Sequence, residues 1–139
     1  MQVEFPFVKQ KANVVDYISR AYAEVTIIGD LNEITEWFFI DSGADVSLIT
    51  KSIGEALELK LKEGEEIKQL SGIGTSTIPY VLRTIKVKIG DKEFDARIAW
   101  SLTEDVPLVL GRLDVFDKFD VIFKERERKV IFTDKSVKL

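Results

Sequence analysis

The chain has 139 residues and contains neither cysteine nor histidine. Without cysteine there are no disulfides and no thiolate nucleophile. Without either residue the usual Cys/His zinc sites are excluded, and so are Ser-His-Asp and Cys-His catalysis. Any acid–base chemistry must come from carboxylates, lysine, tyrosine or a cofactor. No apolar run approaches the roughly 20 residues of a membrane-spanning helix. The opening Met1-Gln2-Val3-Glu4 lacks the basic and apolar regions of a signal peptide. A cytoplasmic protein with no membrane partner is therefore expected. There is no basic patch either: 20 Lys and Arg against 24 Asp and Glu leave a net charge of -4, which argues against nucleic acid as a partner. Repeats, low-complexity stretches and inter-domain linkers are absent, and the length suits one folded unit.

Present instead is a period of two. Ala21, Ala23, Val25 and Ile27 alternate with polar or smaller neighbours, Gly29-Asp30-Leu31-Asn32 carries turn chemistry, and residues 33–40 read as the return strand. Ile85, Val87 and Ile89 alternate with Thr84, Lys86 and Lys88; Gly90-Asp91 marks a hairpin turn, and Phe94, Ala96, Ile98 and Trp100 continue the pattern beyond it. Two further strands are expected over 119–123 and 129–133, joined by the charged run 124–128. Helical signals are few. Ser52-Ile53-Gly54-Glu55 has capping-box spacing and would open a short helix toward Leu57 or Leu59. A second short helix is expected over 111–118. Many strands and two small helices predict an all-β, closed, mostly antiparallel barrel over residues 20–139. Residues 1–19 read as an extension ahead of it.

The segment with most chemistry is Phe39-Ile40-Asp41-Ser42-Gly43-Ala44-Asp45. An apolar strand delivers a carboxylate to a turn that glycine eases. A lone buried carboxylate takes up a proton, whereas two carboxylates side by side share one proton, so that one acts as base and the other as acid; aspartic proteases are the standard illustration of this arrangement. Asp-Ser-Gly by itself equally describes an ordinary strand-ending turn. Two more segments add to it. Leu70-Ser71-Gly72-Ile73-Gly74 suits the tip of a mobile hairpin better than a phosphate loop, because no Lys-Ser/Thr ending follows. Val109-Leu110-Gly111-Arg112 stands later, an apolar pair followed by glycine and arginine.

In order and spacing these three segments resemble the retropepsin-like aspartic proteases over residues 20–133. The resemblance implies a retropepsin-like barrel and peptide-bond hydrolysis without metal or organic cofactor. It matches Asp41 to the catalytic aspartate, and Ser42 to the residue whose hydroxyl bonds across the dimer. It matches Gly43 to the position whose carbonyl faces substrate, and Gly72, Ile73 and Gly74 to a flap over the substrate. Ala44, Asp45 and Arg112 match the supporting loop. Asp45 and Arg112 either pair within the chain or are solvated independently. Glycines are fewer in the flap than in retroviral members, which puts its mobility in doubt. One Asp-Ser-Gly is half of a dyad, so the resemblance implies a homodimer with residues 3–8 or the tail after Lys129 at the interface. A peptide or protein substrate is expected, with Ile73, Ile78, Val106 and Leu108 as candidate apolar pocket residues and with activity favoured by mild acid. The alternatives are a non-catalytic peptide-binding or dimerisation module on the same barrel, and an unrelated barrel with a coincidental Asp-Ser-Gly.

Overall fold

The computed structural model describes residues 1–71 and 76–134. In chain order the elements are β1 (Gln2–Pro6), β2 (Val8–Lys11), β3 (Tyr17–Arg20), β4 (Tyr22–Ile28), β5 (Glu33–Ile40), β6 (Ser47–Ile49), α1 (Lys51–Ala56), β7 (Lys68–Ser71), β8 (Thr77–Ile89), β9 (Lys92–Ser101), β10 (Val109–Leu110), β11 (Asp120–Lys124) and β12 (Lys129–Thr133). Strands β4, β5, β10, β6, β9 and β8 form a closed ring, because β8 returns to pair with β4. The β5–β10 and β6–β9 seams run parallel and the others antiparallel. Closure removes the free strand edges of an open sheet. No helix among the described residues is long and apolar enough to cross a membrane.

The alternation explains the interior. Ala23, Val25 and Ile27 of β4 are fully buried, as are Val81, Val87 and Ile89 of β8 and Ala96 of β9. Their neighbours Glu24, Lys86, Lys88, Asp95 and Arg97 stay exposed. Small alanines on β4 and β9 leave room for Phe38, Phe94 and Trp100 within one continuous core. Each large side chain buried this way contributes about 1.5–3 kcal/mol. Residues 1–19 contain β1, β2 and most of β3; β1 pairs antiparallel with β12, placing it in a second sheet of order β1-β12-β11. Phe5 meets Phe132, and Phe132 meets Phe119, edge to face, joining that sheet to the barrel core.

The structure has the first expected helix but moves its cap, and it corrects the second. The first helix begins earlier, with Thr50 as its cap, and the Thr50 hydroxyl accepts from the Ile53 amide. Ser52 is not the cap. Its amide and hydroxyl both donate to Glu104, a carboxylate distant in sequence, while Glu55 pairs with Lys51 one turn back. Gly54, unfavourable in a helix interior, is required by packing: a Cβ there would overlap the Trp100 indole. The indole N–H donates to the Lys51 carbonyl at 3.2 Å. Residues 112–118 form successive turns rather than an α-helix. Asp114 has φ +62°, which no helix accommodates, and its carboxylate is held by the Arg97 amide and guanidinium. Asp114 is therefore a structural anchor.

The acidic loop before β7 is tied to the barrel. Glu65 forms a two-pronged pair with Arg83 of β8 and accepts from the Lys62 amide at 3.0 Å. Arg83 and then the Lys62 amide hold the Glu65 carboxyl at about 2, below its ordinary 4.5. A carboxyl depressed by folding stabilises the fold above its ordinary value and loses that contribution as pH falls through its folded value.

Two outcomes follow. Gly54→Ala should lower unfolding stability by about 1–3 kcal/mol in denaturant titration, since overpacking against the indole outweighs the helix-propensity gain. Glu65→Gln should lower the melting temperature at neutral pH, and its difference from wild type should shrink between pH 4.5 and about 2. A difference that stays constant across that window would sever the link to ionisation.

Candidate active site

Strand β5 buries Phe38 and Ile40 and stops at Asp41. The strand's period of two therefore puts Trp37, Phe39 and Asp41 on the opposite face. The loop that follows is fixed almost wholly by backbone bonds. The Asp41 amide donates to the Leu110 carbonyl at 3.0 Å, and the Ala44 amide returns to the Asp41 carbonyl at 3.1 Å. From the other side, the Arg112 and Leu113 amides donate to the Ala44 and Asp45 carbonyls, both at 2.9 Å. The loop is thus clamped between its own strand and the segment that begins at β10.

Gly111 is the closest point of that clamp. A Cβ at Gly111 would lie 2.5 Å from the carbonyl carbon and oxygen of Val46 and 3.0 Å from the Ala44 carbonyl oxygen. Its buried amide donates to the Ser47 hydroxyl at 2.9 Å. Ser47 is itself fully buried at the start of β6, a buried polar group with a defined partner. Arg112 donates from Nη1 to the Ser42 carbonyl at 3.1 Å and lies over the Phe116 ring. It makes no ion pair with Asp45 among the described residues; Asp45 joins the clamp through its backbone carbonyl instead.

The Asp41 carboxylate is half-exposed, and its Oδ1 accepts from the Gly43 amide at 3.0 Å. The backbone of Gly43 is not left-handed. Glycine matters there for another reason, since a Cβ would stand 3.3 Å from that same Oδ1. Oδ2 has no hydrogen-bond partner among the described residues, and neither does the hydroxyl of exposed Ser42. The site therefore displays one oriented carboxylate with an open oxygen. Among the described residues no cluster of three or more acidic groups could hold a metal ion.

With this geometry the family match is decisive: the aspartyl protease family matches residues 23–112. The chain belongs to that family. Its fold is retropepsin-like. A solved retropepsin-like aspartic protease from Rickettsia conorii superposes with TM-score 0.64 at 17% identity, covering 94% of this chain and 98% of the other. The EIAV protease complexed with the inhibitor HBY-793 matches with TM-score 0.49 at 23% identity over 70% of this chain and 86% of that one. No curated protein sequence matches.

Of the residues singled out in the sequence, Asp41, Ser42, Gly43, Ala44, Asp45 and Arg112 lie in one loop cluster. Gly72, Ile73 and Gly74 lie outside the described residues. Sequence reasoning missed Ser47. It also missed a groove of about 460 Å³ whose walls include Trp37, Phe39, Tyr22 and Leu108. Among the described residues Leu108 is the one anticipated pocket residue found there; Ile78 and Val106 do not line it. The alternation of Trp37, Phe39 and Asp41 was the available signal. A larger cleft, about 740 Å³, lies between the β4–β5 turn and the end of α1 and includes no residue of the Asp41 loop.

Ser47→Ala should cost about 1–3 kcal/mol, because it strands the buried Gly111 amide. Ser47→Thr, which restores a hydroxyl, should recover part of that loss in the same unfolding measurement; equal losses in both would show that packing, not the hydrogen bond, matters at this position.

Proposed function

We propose that this aspartyl protease is a homodimeric endopeptidase in which Asp41 of one copy meets its symmetry mate. The observation that carries this reading is the oriented, half-exposed Asp41 with one oxygen held by Gly43 and the other open. One carboxylate can serve as base or acid, but not as both at once; a second copy supplies the missing group under two-fold symmetry. With one proton shared, one carboxylate draws a proton from water as the water attacks the scissile carbonyl. The other donates its proton to the carbonyl oxygen. Collapse of the tetrahedral intermediate returns a proton to the leaving amine.

The unpartnered Ser42 hydroxyl supports a bond across the two-fold axis. In this reading Gly72, Ile73 and Gly74 cover the bound peptide. Support comes from β7 and β8, which pair in antiparallel register up to Ser71 and Thr77 on either side of them. Arg83 and Glu65 brace the root of that hairpin. The interface draws on residues 1–19. There β1 forms one edge of its sheet, and an edge strand is a ready template for pairing with another chain.

Asp41→Asn should reduce peptide cleavage by about 100- to 10,000-fold, the usual worth of positioned acid–base catalysis. Sedimentation should show the same dimer as wild type. Full cleavage by Asp41→Asn, or by a verified monomer, would overturn the shared-dyad mechanism.

A further inference from the structure

The groove lined by Phe39, two residues before Asp41 in the chain, has a composition at odds with the rest of the molecule. Among the described residues its charged lining side chains, Lys11 and Arg20, are both cations, and no carboxylate lines it, although the chain as a whole is net acidic. Neither cation forms an ion pair among the described residues. Arg20 lies over the Phe39 ring at 5.7 Å, which leaves its outer N–H groups available. Lys11 comes from the β2–β3 hairpin, and a Gln10 to Tyr22 hydrogen bond at 2.5 Å fastens that hairpin to the groove wall.

The groove is also placed to meet a substrate. Trp37 and Phe39 share one face of β5, and Asp41 follows Ile40, the last residue of that strand. Two residues along a strand span about 7 Å, the same pitch as an extended peptide. The Phe39 amide donates to the Leu108 carbonyl and the Asp41 amide to the Leu110 carbonyl, so the groove wall and the carboxylate share one rigid seam. Trp37 is 43% exposed, an apolar surface next to two free cations.

We propose that this groove is a substrate subsite selecting a peptide residue that bears a carboxylate, with Lys11 and Arg20 receiving the charge and Trp37 and Phe39 receiving the apolar stem or an adjacent apolar side chain. The inference rests on the protease reading above. It commits to an acidic peptide because the unpaired cations, the missing carboxylates and the continuity with Asp41 all favour that occupant. The competing use of the same cations is to hold a carboxylate of a second copy.

The test uses pairs of otherwise identical peptides that carry Glu or Gln at one position, scanned over the positions flanking the cleaved bond. The full chain should favour Glu over Gln in kcat/KM by about fivefold at one position, the range of an open charge pair. Lys11→Gln with Arg20→Gln should bring that ratio toward unity. In parallel, binding of the same peptides to the Asp41→Asn chain is read by fluorescence anisotropy, which reports on the groove whether or not peptides are cut. A Glu preference in binding that the double variant loses sustains the subsite, even if the wild-type chain cleaves nothing and the protease reading falls. Cleavage or binding with no Glu preference at any position overturns the subsite and leaves the protease reading standing. A double variant that becomes monomeric in sedimentation and loses both peptides equally also overturns it, by assigning the cations to assembly.

Discussion

The close passage of Gly111 against Val46 is the constraint on which the rest of the site depends. Any Cβ there would press on the Val46 carbonyl, so the late segment can enter the Asp41 loop only as glycine. Because it enters, β10 can pair in parallel with β5 and antiparallel with β6, although it has only two residues. Such a short strand gains little from its own ladder. It is held by the Gly111–Ser47 bond beneath it and by the Arg112 and Leu113 amides beyond it. The ring of strands closes through this point. The Asp41 amide donates to the Leu110 carbonyl, so the short strand that links β5 to β6 also holds the backbone that carries the carboxylate.

The clamp also explains why the exposed end of the site can be open without being loose. Ile40, Ser47, Leu48, Ile49 and Leu110 are all buried around the loop, whereas Ser42 and Gly43 at its crest are exposed. Rigidity therefore lies below the open Asp41 oxygen, and accessibility lies at it. Catalytic groups gain from being held before substrate arrives, since no reorganisation is then required during the reaction. Arg112 contributes by holding the Ser42 carbonyl, and its stacking on Phe116 ties the crest to the turns of residues 112–118.

Much of this was legible in the sequence wherever local rules act. The alternation of Ala21, Ala23, Val25 and Ile27 and of Phe94, Ala96 and Ile98 identified the core faces, because a strand's side chains obey its period regardless of neighbours. Asp41-Ser42-Gly43 and Gly111-Arg112 were visible as motifs, yet their physical roles were not. Gly43 protects a carboxylate contact rather than relieving a left-handed turn, and Arg112 binds a carbonyl instead of Asp45. Partners distant in sequence defeated local reading elsewhere. Glu104 replaces Glu55 at the start of α1, and Asp114 leaves helical geometry to reach Arg97. Lys11, Arg20 and Phe39 meet in one groove only because β2–β3 folds back on β4, which no local pattern encodes.

The same long-range carboxylates bear on how such a site can operate. A shared proton between two aspartates favours mild acid, the condition under which ordinary salt bridges begin to fail as carboxylates protonate. The two anchors of this barrel resist that failure. Arg97 holds Asp114 at about 2 and Arg83 holds Glu65 at about 2. Both stay ionised in the folded chain while pH falls well below neutrality, and their contribution to stability is lost progressively from the ordinary carboxylate value down to about 2. One anchor secures the turns behind Gly111, and the other secures the loop that leads into β7. The carboxylates that anchor the turns behind Gly111 and the loop into β7 thus stay charged in the folded chain below the range of ordinary carboxylates, so these two ion pairs persist under mildly acidic conditions.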